Sequence, residues 1–465
     1  MQLQPSVTLT TLPWSNRFLF SLLICGCLFS IGAGLAPFYV WGAVASLGLL
    51  YWCFTSSMKG LALVLALSSM FVRSTDEITP FEIIYAVLFS VVVLGWVLRC
   101  MSRNQPLTQT RTDLVLAWFL LICIVSFLPA LGQGNDMIKW VRELVPFFLF
   151  LPYFIVVSLL RKKEELYWFC LAYLILSISM GLVNVYDYWI MVADVQQQWE
   201  LVANRQAPGE PLFFTTLTVT LLFLIYRGLG KGHSLLYLGI ISFCAIALAI
   251  TFSRGYWVAM VIALCCAYYF MPSAKRRRLI FYLGSMALVG ALAIAFLMGP
   301  LIIDILSAMG DRLGSVFTTK LDLSFRNRLV ESSAVLDEII ASPIWGYGLG
   351  YYYNFQPLIP YLTPTWYVHN VYLYFWLKLG IFGLVAFLLW YGMVLYHAYF
   401  CVRRLSDPFL QPLTLGIMCI MIAMIPLSIS SPQFIQKDSI LFLALGSGII
   451  ERIYRSNNWT DPLEA

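Results

Sequence analysis

The sequence predicts an all-α protein built as a polytopic bundle of about 12–14 transmembrane helices. Three observations carry that expectation. The chain has 465 residues, of which 61% are hydrophobic and only 11% charged. A water-soluble protein of this length could not hide so much apolar surface, so much of its solvent must be lipid. The apolar residues also gather in runs long enough to span a bilayer as helices, whereas a barrel would show alternating segments of about ten residues. Finally, the basic residues cluster in every second connection between runs, a regularity that hydropathy alone does not impose.

In chain order, apolar windows fall at 18–35, 38–55, 60–73, 83–99, 114–131, 144–160, 166–190, 213–227, 235–252, 255–271, 279–303, 372–400, 411–428 and 439–452. Arg17, Lys59, Arg99 with Arg103 and Arg111, Arg161 to Lys163, Arg227 with Lys231, Lys275 to Arg278, Arg403 with Arg404, and Arg452 with Arg455 lie in alternate connections. The positive-inside rule assigns these connections and both termini to the cytoplasm. The intervening connections, 74–82, 132–143, 191–212, 252–255, 304–368 and 429–438, then face outward. The net charge of +6 thus reports orientation and gives no indication of nucleic-acid binding. The cysteines sit mostly in apolar runs, and none lies in 307–368, which argues against a disulfide framework or a Cys/His metal site there. The first apolar run is followed at once by a second, so it is expected to be retained. The expected organisation is one membrane domain over 1–465, with 304–368 as an inserted outward loop that carries part of an active site.

The loop has local order of its own. Leu329, Leu336 and Ile340, with Val335 and Ile339, recur at helical spacing, while Glu331, Ser332 and Asp337 do not join them. This predicts an amphipathic helix over 326–341, lying on the membrane or across the bundle mouth and stopped by Pro343. Gly346-Tyr347-Gly348-Leu349-Gly350 follows, either as a flexible turn or as backbone that approaches a phosphate. A continuous helix over 369–400 would run about 48 Å, against about 30 Å of hydrocarbon. Either its first turns stand above the bilayer or it breaks near Gly380 and Gly383.

Four residues are candidates for chemistry. Of the three histidines, His233 and His397 fall on the cytoplasmic side of the predicted topology, which leaves His369 facing outward. Histidine suits proton removal from a hydroxyl near neutral pH, although a cationic phosphate ligand is the alternative role. Arg254 lies between two apolar runs, where an arginine either snorkels or lines a polar cavity. Arg326 and Arg328 open the loop helix, either as a solvated basic patch or as phosphate ligands, since a planar guanidinium grips phosphate through two hydrogen bonds. Glu143, Asp187 and Asp304 are further ionisable groups near outward ends, and Lys378 is expected to snorkel or face the cavity.

Ser253-Arg254-Gly255 before an apolar span, Phe325-Arg326 opening an amphipathic helix, Pro343-x-x-Gly346-x-Gly348-x-Gly350, and His369-Asn370 leading to Gly380-Ile381-x-Gly383 together resemble the O-antigen ligase/polymerase superfamily. The resemblance covers roughly 210–400; Leu329-Val330 stand where such proteins often carry an aromatic, which leaves Arg328 as a substitute for Arg326. It implies a GT-C-like fold and a metal-independent glycosyltransferase with no cofactor, in the bacterial inner membrane with its active site facing the periplasm. The implied reaction moves a glycan from undecaprenyl diphosphate to a lipid or glycan acceptor, with lipid A core the favoured one. By position, Arg254 and Arg326 would hold the diphosphate and His369 would act near the acceptor hydroxyl. A polysaccharide polymerase is the nearest alternative. A transporter or flippase is a more distant one, and the lack of an internal repeat or paired interrupted segments argues against it.

Overall fold

The computed structural model describes residues 37–68, 80–192, 205, 208–228, 233–284, 307, 310, 314, 323–355, 358 and 367–456. Among them are helices α1 (Pro37–Thr55), α2 (Ser57–Leu67), α3 (Pro80–Ser102), α4 (Arg111–Val125), α5 (Phe127–Gly132), α6 (Met137–Leu144), α7 (Leu151–Leu159), α8 (Lys163–Val192), α9 (Glu210–Arg227), α10 (Ser234–Ala249), α11 (Arg254–Phe270), α12 (Leu323–Ala341), α13 (Val371–Arg404), α14 (Leu410–Leu427) and α15 (Lys437–Tyr454). Residues 273–284 are also helical. No strand occurs among the described residues. Seven helical runs there are long and apolar enough to cross a membrane, and four shorter apolar helices accompany them. The protein is therefore an all-helical, polytopic membrane protein. The predicted span at 18–35, most of that at 279–303, and Asp304 lie outside the described residues, as does much of the 304–368 loop.

The apolar windows map closely onto helices, with two informative differences. The window at 144–160 is not one helix: α6, a 3-10 turn over Val145–Phe150 and α7 run in series, with Pro146 and Pro152 in the opening turns of the second and third pieces. A proline near a helix start gives up no hydrogen bond, so it seeds a new segment at small cost. The window at 439–452 is less apolar because α15 faces protein. Asp438, Ser439, Ser447 and Glu451 are all buried in it. With α9 and α14 it forms the centre of the bundle. By contrast, Trp189, Ile190, Leu128 and Ile83 on the peripheral helices are exposed, as lipid-facing side chains are.

The basic clusters converge on one end of the bundle through direct contacts. Arg99 donates to the carbonyls of Phe54 and Thr55 at the end of α1. Lys163 pairs with Asp407 at 2.9 Å, Arg452 donates to the Leu160 carbonyl, and Arg455 donates to Asp113 at the start of α4. Lys275 and Arg278 cap the last carbonyls of α9. Free carbonyls at helix C-termini attract cations, so these residues finish the helices as well as marking a side. The starts of α9 and α11, helix α12 and His369 lie toward the other end.

Candidate active site

Three local devices build the site. The connection from α10 to α11 is very tight. Thr251 Oγ1 donates to the Leu248 carbonyl and accepts from the Ser253 N–H, while Phe252 sits at φ 50° with its ring fully buried. A phenylalanine in the left-handed region is strained, and the packing around its ring holds it there. The turn delivers Ser253 and Arg254 to the head of α11. The second device is Asn370, which caps α13 by accepting from the Tyr372 and Leu373 N–H groups, so His369 is held just outside a helix start. The third is α12, whose inner face carries Asn327, Arg328, Glu331, Val335 and Ile339.

The face of α12 turned inward differs from the predicted one. Val335 and Ile339 are buried, but Leu329, Leu336 and Ile340 are exposed and Glu331 is 2% exposed. The exposed stripe continues into Ile344 and Trp345, so this helix offers apolar side chains outward while Arg328, Glu331 and Glu338 turn toward the protein. The physical reason is the solvent: where the outside is a membrane surface, the polar face is the one that needs protein partners.

Glu331 organises the centre. One oxygen, Oε2, accepts from His369 Nδ1 at 2.9 Å and from the His369 N–H at 3.2 Å. The other, Oε1, lies 2.7 Å from the Tyr353 hydroxyl, which is also 2.8 Å from the Tyr367 carbonyl. A carboxylate at Nδ1 selects the tautomer with its proton there and leaves Nε2 as the basic nitrogen. The His369 side chain is 31% exposed, and Tyr367 packs edge-on against its ring at 5.2 Å.

Positive charge collects beside this pair. Burial pushes the Arg328 guanidinium down from its usual range; Tyr367 and Glu331 pull it back up, whereas Arg254 and Arg205 push it further down. Arginine does not lose its proton in such a setting, so the consequence is a cationic group that would be stabilised by an anion. Arg328 Nε is buried without a hydrogen-bond partner among the described residues. Burial also raises the Tyr367 phenol, against the pull of Arg328. Glu210 at the start of α9 faces Arg205, Ser253 and Arg328. Below it, the buried Gln433 accepts from the Tyr256 and Ser439 hydroxyls.

Among the residues singled out from the sequence, the structure brings Arg254, Arg328 and His369 into this group. Arg326 is exposed on α12 and outside it. Sequence reading missed Glu331, Tyr353, Tyr367, Arg205 and Glu210. One signal was present: Glu331 follows Arg328 by three residues, the spacing that puts two side chains on one helix face.

The glycine-rich turn is a structural clasp. Gly346, Gly348 and Gly350 have φ of 66°, 80° and 75° and are all buried. Helix α13 breaks at Gly380, which frees the carbonyls of Leu377 and Lys378, and the Tyr347 and Gly348 N–H groups donate to them at 2.8 and 2.9 Å. The Gly350 N–H donates to Glu143. The Gly346 N–H donates to the Ser342 carbonyl, so all three glycine N–H groups of this turn are engaged by protein acceptors. Against the expectation from sequence, Lys378 neither snorkels nor faces a cavity: it is fully buried and donates to both Glu143 oxygens and the Tyr351 carbonyl. The pair ties α6, α13 and the turn together.

Among the described residues, no group of three His, Cys, Asp or Glu side chains could hold a metal ion. No curated protein matches the chain. Residues 239–388 match the family model of the O-antigen ligase, a stretch that contains Arg254, Arg326, Arg328, Glu331 and His369. Over that stretch the chain is similar to the O-antigen ligase family, the resemblance that the order of its motifs carries.

Proposed function

We propose that the protein transfers a glycan from undecaprenyl diphosphate to an acceptor hydroxyl, most simply that of a lipid A core, at the periplasmic face of the bacterial inner membrane. The observation that carries this reading is a histidine oriented by a buried carboxylate, set beside the half-buried arginines Arg254 and Arg328. The arginines bind the diphosphate, and Arg326 sits at the rim. His369 Nε2 takes the proton as the acceptor oxygen bonds to the anomeric carbon and the bond to the diphosphate breaks. One displacement inverts the anomeric configuration. Charge on the departing diphosphate is met by fixed cations, so neither a metal nor a general acid is required. Glu331 fixes the imidazole and stabilises the imidazolium that forms.

The test is transfer by the purified protein from an undecaprenyl-diphosphate glycan to lipid A core. Expected are a capped lipid of inverted configuration and unchanged glycan length. Growth of the glycan on its carrier would make the protein a polymerase, and retention of configuration would rule out single displacement. Orientation is tested separately by a cysteine at the exposed Asn354 in a background without the native cysteines. An impermeant maleimide should label it from the periplasm.

A further inference from the structure

A second site lies at the end of the bundle away from His369. Between α8, α9, α10, α14 and α15 there is a cavity of about 450 Å³, lined by Tyr173, Val219, Phe223, Leu413, Ile417 and Phe442 among others. It adjoins a polar recess of about 420 Å³ and shares Tyr167, Arg227, His233 and Phe409 with it. The whole is an apolar shaft with a polar mouth. Lys163 at the mouth is neutralised by Asp407 at 2.9 Å. Arg227 has no carboxylate partner among the described residues, and Arg278 sits against Gly228 beside it. The mouth therefore carries net positive charge. At the inner end, the Thr215 and Tyr173 hydroxyls are buried beside each other, with no further hydrogen-bond partner among the described residues.

The dimensions limit the occupant. From Arg227 to Thr215 is about 18 Å along α9, close to half of the roughly 30 Å hydrocarbon core. A shaft that starts at a basic mouth and ends near the midplane has the length of one leaflet's acyl chain. We infer that this cavity binds one acyl chain of an anionic phospholipid from the leaflet at the basic end, with its phosphate at Arg227 and Arg278. The glycan carrier is a poor fit, because its diphosphate belongs at the opposite end beside Arg254 and Arg328. The lipid would fill a void between three central helices and so couple headgroup composition to the packing of α9, whose first residue, Glu210, faces the candidate active site.

Native mass spectrometry of the full chain in detergent, titrated with phosphatidylglycerol or with phosphatidylcholine of identical chains, tests the inference. The expected result is one tightly retained phosphatidylglycerol, preferred about fivefold or more, the preference that one basic residue near a membrane surface confers. Arg227→Gln should lower that preference toward parity. Thr220→Phe, which fills the shaft, should abolish retention of both lipids. Arg227 stands at a helix end, so its variant carries the test if Thr220→Phe does not fold. Equal retention of the two lipids by the unmodified protein, or an unchanged preference in Arg227→Gln, would overturn the assignment. So would displacement of the bound lipid by equimolar undecaprenyl phosphate, which would give the cavity to the carrier instead.

Discussion

Two His–Glu pairs stand at opposite ends of the bundle and differ in what surrounds them. At the basic end His397 Nδ1 meets Glu451 Oε2 at 2.7 Å, and at the other end His369 Nδ1 meets Glu331 Oε2 at 2.9 Å. Both carboxylates are almost fully buried. Around His397 the ion pairs close on one another, although Arg455 Nε makes no hydrogen bond among the described residues. Its ring stacks on Tyr454 at 3.8 Å, Arg455 lies against Glu451, and Arg455 binds Asp113, which also accepts from Tyr153. Charges there are matched and the ring is covered. Around His369 the network is open: the ring keeps a partly exposed edge, and the neighbouring charges are mainly arginines. A buried polar network that satisfies itself rigidifies a bundle, whereas one left short of an anion is prepared to receive it. The same pair of residue types is structural in one setting and a candidate for catalysis in the other.

That contrast can be broken most directly at the two histidines. His369→Ala should slow transfer by about 10²–10⁴-fold with donor binding nearly intact, the range of general-base help. Turnover and donor affinity measured separately decide it; rescue of both by His369→Lys would instead make the residue a phosphate ligand. His397→Ala should leave turnover within a few-fold and lower the melting temperature. An equal loss of turnover in both variants would erase the distinction between the ends.

The arginines come next. Arg328→Ala should raise the Kd for the lipid diphosphate by about 10–100-fold, since a buried charge-assisted hydrogen bond is worth roughly 1.5–3 kcal/mol. Arg326→Ala, from the exposed side of α12, should change it only a few-fold. The reverse ranking would mean that α12 turns over when substrate binds.

Glu331→Gln sharpens the comparison further. The amide keeps the shape but no longer stabilises the imidazolium, so kcat should fall by at least about tenfold with little change in donor affinity. Unaltered kcat would reduce Glu331 to a packing role. The smallest effect on chemistry is expected at the clasp. A Cβ at Gly348 would lie 2.5 Å from the Ala130 nitrogen, at a φ of 80°. Gly348→Ala should therefore cost about 1–3 kcal/mol of stability, seen as a lowered melting temperature, while surviving protein binds donor normally. A selective loss of donor binding with unchanged melting would restore the turn as a phosphate site.

Much of the fold is legible in the chain because lipid imposes simple rules. Backbone hydrogen bonds must close within each span, so apolar windows become helices and their ends fall near charged residues, as at Lys163 and Arg227. The alternation of basic clusters anticipated their convergence on one end, and the excess length after His369 anticipated the break at Gly380. The same residues nominated His369, Arg254, Arg326 and Arg328 as a group, of which Arg326 lies on the exposed side of α12.

What only the tertiary structure decided is which face of each element is inside. Helix α12 inverts the usual reading of amphipathicity, since Glu331 is buried and Ile340 is not. Lys378 is placed by Glu143, 235 residues away in the chain, and the glycine turn by carbonyls that a distant helix break sets free. Sequence periodicity shows that a helix has two faces. Between a membrane surface and a polar cavity, the partners brought by folding decide which face is buried, because an ionisable group is stable only where other chain segments meet it.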